Sequence, residues 1–250
     1  MTDDRPLALV YRGPAACAEC PQALADLLIS ADPRFEIRFV GDAERHTISR
    51  ATLAGATLYA QPGGGRSLQR AYRRVKASTP LIRQYVRCGG RYLGICMGGY
   101  LADGWRGFGI LPRGVEADPY VGSPGADVTS RADTVVNVRW RGSKTPRPLF
   151  FQDRPLFRIP AEPPAGVSVL GRYAATGDIA ALLAPYGRGW VAVCGPHPEA
   201  PDEWYAEHAL PGSHRDGASV GHDLVNALLG AGLDRWPAPT STEVARRPEG

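Results

Sequence analysis

Short apolar runs alternate along this chain with amphipathic stretches and turns rich in Gly and Pro, the pattern of a mostly parallel sheet covered by helices on both faces. Leu7 to Tyr11 is a continuous apolar run stopped by Arg12-Gly13-Pro14, which predicts a buried first strand. Leu24, Leu27 and Leu28 fall on one face of a helix predicted from about Pro21 to Ser30. Strands follow at Phe35 to Val40, stopped by Gly41, and at Thr57 to Ala60, stopped by Pro62-Gly63-Gly64-Gly65. Pro80 divides the next amphipathic region into a helix near Ser67 to Ala77 and a second that Thr79 caps and Pro80 opens, with Leu81, Ile82, Tyr85 and Val86 as its buried stripe. Cys88-Gly89-Gly90 ends that helix and leads into a strand from Arg91 to Ile95, with a short helix expected directly after Cys96.

From Trp105 to about Pro148 the periodicity weakens, apart from Thr134 to Trp140, which alternates as an antiparallel strand does. Later strands are expected at Leu149 to Gln152, Val167 to Tyr173, Ala180 to Ala184 and Trp190 to Cys194, with Tyr186-Gly187-Arg188-Gly189 suited to a hairpin. A closing helix is predicted from about His222 to Leu229. Residues 1–230 thus read as one α/β domain and 231–250 as a disordered tail, with Pro237 to Gly250 its clearest part.

Composition narrows the functional class. With 44% apolar and 22% charged residues in 250, the chain can build a packed core. No apolar stretch approaches the roughly 18 residues of a membrane span, and the acidic start Thr2-Asp3-Asp4 lacks the basic and apolar regions of a secretory signal. A cytoplasmic protein without a membrane partner is expected. The net charge of +4 rests almost wholly on Arg, with Lys only at Lys76 and Lys144. Its densest run, Arg70, Arg73, Arg74 and Lys76, has no aromatic ladder beyond Tyr72 and reads as a solvated helix face, so no nucleic-acid partner is expected. Five cysteines, an odd number, argue against a disulfide framework. Cys17-Ala18-Glu19-Cys20 makes a poor zinc site and reads as incidental, with a redox or substrate-side role as the alternative, because the loop after the first strand lies at the same sheet edge as Cys96. His208, His214 and His222 are not expected to bind a metal, and nothing calls for a cofactor.

The chemistry concentrates at Cys96. Squeezed between a strand and a helix and flanked by Gly94, Gly98 and Gly99, it sits on a tight elbow at the carboxyl edge of the sheet, where α/β proteins bind ligands. A helix beginning there favours thiolate, hence a nucleophile. His197 follows the apolar strand ending at Cys194, clamped between Pro196 and Pro198, and is the candidate base; Glu199 can orient it, with Asp202 and Glu203 as substitutes. The side-chain-free turn at Gly63 and Gly64, together with the amide of Met97, supplies candidate donors for an oxyanion.

The order Pro-Gly-Gly, then the phrase Gly89-Gly90-Arg91-Tyr92-Leu93-Gly94-Ile95-Cys96-Met97-Gly98-Gly99-Tyr100, then His197-Pro198-Glu199, resembles the class I glutamine amidotransferases. It is most similar to the amidotransferase-like domain at the N-terminus of biotin-protein ligases and its free-standing bacterial relatives. Val10-Tyr11-Arg12-Gly13-Pro14, Arg172-Tyr173 and Gly187-Arg188-Gly189 add to the likeness, which spans about residues 7 to 230. The resemblance implies a flavodoxin-like fold and a Cys96-His197-Glu199 triad that opens an amide or related acyl C–N bond through a thioester. It also implies a small-molecule amide substrate, near Tyr100 and Tyr173, and a separate synthase or ligase protein as partner. Tyr100 stands where glutamine-using relatives commonly carry Gln, which weakens the assignment of glutamine as substrate and leaves the nucleophile untouched. Met97 stands where the related stress-type cysteine hydrolases place a His, which argues against that group. The alternative function is a regulatory module that binds a ligand or partner without turnover.

Overall fold

The computed structural model describes residues 5–153 and 155–232. In chain order its elements are β1 (Leu7–Tyr11), α1 (Cys20–Ser30), β2 (Glu36–Val40), α2 (Arg50–Ala54), β3 (Leu58–Gln61), α3 (Leu68–Val75), α4 (Thr79–Arg87), β4 (Arg91–Ile95) and α5 (Met97–Ala102). Then come β5 (Glu116–Pro119), β6 (Thr134–Trp140), β7 (Arg147–Phe151), β8 (Pro155–Arg158), β9 (Ser168–Tyr173), β10 (Ile179–Tyr186), β11 (Gly189–Cys194), α6 (Asp202–Glu207) and α7 (His214–Gly230).

The sheet runs β2-β1-β3-β4-β11-β10-β9-β6-β7, and β8 and β5 branch from β10. The first five strands are mutually parallel and the rest antiparallel, which makes this a flavodoxin-like α/β sheet with an antiparallel extension. β11 is the hinge between the two halves. It pairs in parallel with β4, Cys194 opposite Ile95, and through the two-residue turn Gly187-Arg188 it pairs antiparallel with β10. The carboxyl ends of β1, β3, β4 and β11 therefore lie along one edge, and from that edge spring the Cys17–Cys20 loop, the Gly63 turn, Cys96 and His197.

Leu24, Leu27 and Leu28, the stripe read for α1, are inaccessible to solvent, as are Ile82 and Val86 of the stripe read for α4, whose Leu81 and Tyr85 are half-buried; α7 buries Leu224 and Leu228. Full burial of each such aliphatic side chain contributes about 1.5–3 kcal/mol. No helix among the described residues is long and apolar enough to cross a membrane. The expected tail over 231–250 lies outside the described residues beyond 232.

Several elements differ from the sequence expectation. α7 starts at His214 instead of His222, because Gly217 and Gly221, which resemble breakers, are interior helix positions pressed against neighbours. A Cβ on Gly221 would stand 2.7 Å from Leu27 Cδ2, and one on Gly217 would stand 2.7 Å from the Pro198 carbonyl oxygen. α2 escapes a periodicity reading because it is only five residues long; it is held by a reciprocal cap in which Ser49 Oγ accepts from the Thr52 amide and Thr52 Oγ1 accepts from the Ser49 amide. β5 lies in the stretch of weak pattern and β8, which the pattern does not predict, lies just beyond it; the two pair with each other.

α7 is also fastened to the antiparallel half. Asp223 accepts from Trp140 Nε1 at 2.8 Å and from Arg141 Nε at 2.8 Å. Burial pushes this carboxyl up, but the hydrogen bonds from Arg141 and Trp140 outweigh it and hold the group below its ordinary range. A depressed carboxylate stabilises the fold above its unfolded pKa and loses that contribution as pH falls through the folded value. Asp223→Asn should therefore lower the urea midpoint at neutral pH, and the gap from wild type should close progressively below about pH 4.

Candidate active site

β4 delivers Cys96 into a conformation that side chains rarely adopt, φ 59° and ψ −109°, and α5 begins at the next residue. The strained residue is pinned on both sides. Its N–H donates to the Cys194 carbonyl at 2.7 Å, and its carbonyl accepts from the Gly99 and Tyr100 amides at 2.9 and 3.2 Å. Close backbone approach makes Gly98 obligatory, since a Cβ there would stand 2.0 Å from the Gln61 carbonyl oxygen of β3. The Cys96 side chain is fully buried.

β11 delivers His197 to the same place. Its N–H donates to the Phe150 carbonyl at 2.9 Å, so β7 fixes its backbone, while its ring is walled edge-on by Phe150 and Trp204. Nδ1 lies 2.8 Å from Glu199 Oε1, both groups being 1% exposed. The ring also hydrogen-bonds Cys96. Burial is the largest influence on the imidazole and works to lower its pKa, but the charges of Cys96 and Glu199 and their hydrogen bonds together push it up to about 9. Sulfur, imidazole and carboxylate thus form one buried hydrogen-bonded array in which the imidazole holds its proton near neutral pH.

The turn after β3 crosses directly over that array. A Cβ on Gly63 would stand 2.6 Å from His197 Cε1, 2.8 Å from Cys96 Sγ and 2.9 Å from Cys20 Sγ. A Cβ on Gly64 would meet the Ala15 carbonyl oxygen at 2.3 Å and Met97 Cγ at 3.0 Å. Gly63 therefore lies against the Cys96 sulfur, and Gly64 lies against Met97, the residue that follows Cys96.

Residues 7–110 match the family model described as the N-terminal region of biotin-protein ligase, a span that holds the Gly63 turn and Cys96 but ends before His197. A glutamine amidotransferase from Thermotoga maritima shares the fold at a TM-score of 0.58 and 14% identity, over 90% of this chain and 97% of that one. The chain thus has the fold of that amidotransferase, and its residues 7–110 are similar to the biotin-protein ligase N-terminal family. An exo-β-1,4-mannosidase from Opitutaceae bacterium strain TAV5 matches 90% of this chain with 36% of its own, at a TM-score of 0.51 and 16% identity. No curated protein matches the sequence.

Other predicted positions fall in and out of the site. Tyr100, on α5, is nearly buried and borders, with Met97 and Trp105, a cavity of about 260 Å³. Tyr173, expected near the substrate, belongs instead to the core of the antiparallel half. Its ring stacks on Tyr120 at 3.8 Å and its hydroxyl donates to the Pro155 carbonyl at 2.7 Å, because β9 carries it on the inward face. Asp202 accepts from the His214 amide, away from His197. The late histidines do not converge: His208 meets Asp133, His214 the Ala200 carbonyl and His222 the Ser30 hydroxyl. Among the described residues no group of three or more His, Cys, Asp or Glu is placed to hold a metal ion.

Two features of the site were not anticipated. Phe150 and Trp204 wall the imidazole, yet in sequence they look like ordinary apolar residues of short elements. Cys17 and Cys20 are joined by a disulfide, against the expectation from an odd cysteine count, while Cys88, Cys96 and Cys194 carry thiols. The odd count bears on frameworks and is silent on a single local pair; the C-x-x-C spacing was the signal.

Proposed function

We propose that this chain is a cysteine-dependent amidohydrolase, acting on an amide or related acyl C–N bond of a small molecule. The observation that carries the reading is the buried Cys96–His197–Glu199 array lying under the Gly63 turn. Cys96 thiolate attacks the acyl carbon, and the oxyanion forms against the Gly63, Gly64 and Met97 amides. The His197 imidazolium protonates the leaving amine as the C–N bond breaks. Now neutral, the ring takes a proton from water, which attacks the thioester and releases the acid and the Cys96 thiol. Glu199 holds the ring through Nδ1 and balances its positive charge. The mechanism calls for no cofactor or metal. With Tyr100 in the place of Gln, substrates other than glutamine are in scope, and a separate synthase or ligase protein is the partner that would take up released ammonia.

The test is ammonia release from glutamine and from a panel of primary amides, comparing wild type with Cys96→Ala. Turnover of at least one amide by wild type, with the variant at background, is the expected result; equal release by both would remove Cys96 from the reaction. Full burial of Cys96 favours a second reading, a module that binds a ligand or a ligase partner without turnover. Under that reading iodoacetamide labels Cys96 no faster than Cys88 near neutral pH, whereas the hydrolase labels selectively at Cys96.

A further inference from the structure

The Cys17–Cys20 pair is built into the site. Cys20 opens α1 and is buried, and its sulfur and that of Cys96 flank the point where a Cβ on Gly63 would stand, at 2.9 and 2.8 Å. The two sulfurs are thus no further apart than those two distances laid end to end, and at Gly63 itself no side chain separates them. The loop is held in this place from two sides. The Cys17 N–H donates to the Gly63 carbonyl at 3.0 Å, and Glu19 Oε2 accepts from Trp204 Nε1 at 2.9 Å, the same indole that walls His197. Cys17 is the outer sulfur. It is half-buried and lines a cavity of about 180 Å³ that also reaches Cys20 and His197. The Cys20 N–H donates to Cys17 Sγ at 3.0 Å, at the start of the eleven-residue α1, so negative charge on Cys17 is favoured and this sulfur is the better leaving group.

We propose that Cys17, Cys20 and Cys96 form a thiol–disulfide exchange site whose outside substrates are low-molecular-weight thiols and their disulfides. In the internal step the Cys96 thiolate attacks Cys20 Sγ. The Cys96–Cys20 bond forms as the Cys17–Cys20 bond breaks, and the electron pair remains on Cys17 as a thiolate held by the Cys20 amide; no outside oxidant is needed. In the external step a small thiolate attacks Cys17 of the Cys17–Cys20 form, making a mixed disulfide and releasing Cys20, which is protonated by solvent. A second small thiol then displaces Cys17, so two small thiols are oxidised to one disulfide as the protein pair is reduced. While Cys96 is bonded to Cys20 it cannot attack an acyl carbon, so the small-thiol pool sets how much nucleophile is exposed.

Cys17→Ser removes the leaving sulfur and leaves Cys20 and Cys96 as neighbours. After incubation of this variant in a buffer of reduced and oxidised glutathione, acid quenching, N-ethylmaleimide blocking and peptide mapping, the expected product is a Cys20–Cys96 disulfide that dithiothreitol reverses. Recovery of both residues as thiols, or as separate glutathione adducts, would overturn the proposal. The wild-type protein gives an independent measurement: prolonged N-ethylmaleimide treatment of the oxidised form should divide the adduct between Cys96 and Cys17, and adduct on Cys96 with none on Cys17 counts against exchange. Both readouts are covalent linkages, so a missing ammonia release alongside a Cys20–Cys96 bond would sink the hydrolase reading alone.

Discussion

His197→Asn should reduce amide hydrolysis by about 10²–10⁴-fold, the range for loss of a positioned proton donor and acceptor. Asparagine retains the capacity to accept from the sulfur side but cannot carry the proton to the leaving amine. The pH profile makes the result specific. Because the ring holds its proton up to about pH 9, wild-type turnover should decline as pH rises through that value, when the amine loses its proton source. Alkylation of Cys96 by iodoacetamide, which needs only thiolate, should show no such decline. Cys96 supplies the largest of the influences that raise the ring's pKa, so in Cys96→Ala an NMR titration should place His197 lower than in wild type. The same shift has a stability counterpart: a histidine raised from 6.5 to about 9 contributes stability that is complete below the lower value and lost as pH rises through the upper one.

Gly63→Ala should be nearly as damaging, with kcat falling about 10²–10³-fold, the effect of disturbing an oxyanion donor. The added methyl would meet His197, Cys96 and Cys20 together, each closer than 3.0 Å, so the turn or all three side chains must shift. The overpacking costs about 1–3 kcal/mol, which a urea melt would detect as a lowered midpoint of a still cooperative transition. Gly65→Ala is the control, since a Cβ there meets nothing within 4 Å; a comparable rate loss at both positions would show that the turn's flexibility, not crowding of the array, is responsible.

Most of the parallel half of the sheet was legible because its inner strands are buried apolar runs followed by a turn: β1 and β4 fall at the residues read from the pattern, β11 begins one residue earlier, and in the antiparallel half β6 falls where its alternation placed it. Cys96, His197 and Glu199 were legible for a related reason. Strand ends of a parallel sheet converge on one edge, so chemical residues following such strands are neighbours even a hundred positions apart. What failed was whatever depended on packing between distant elements. Gly217 and Gly221 signal helix termination locally, whereas their role is to let α7 press on Pro198 and Leu27. Tyr173 was placed by likeness to a motif and not by its strand face, and the face decided. The aromatic walls of the imidazole arise from β7 and α6 closing on the edge, which no local periodicity encodes.

The pairing of β4 with β11 has a consequence for how the protein comes into being. A ribosome releases the sulfur about a hundred residues before the imidazole, and the strand carrying the latter can enter the sheet only when the whole antiparallel half has been made. Throughout that interval the growing polypeptide holds Cys96 without His197 beside it. The imidazole joins the sulfur in a single late event, the insertion of one strand between β4 and β10, so a truncated translation product would carry the cysteine without its ring partner.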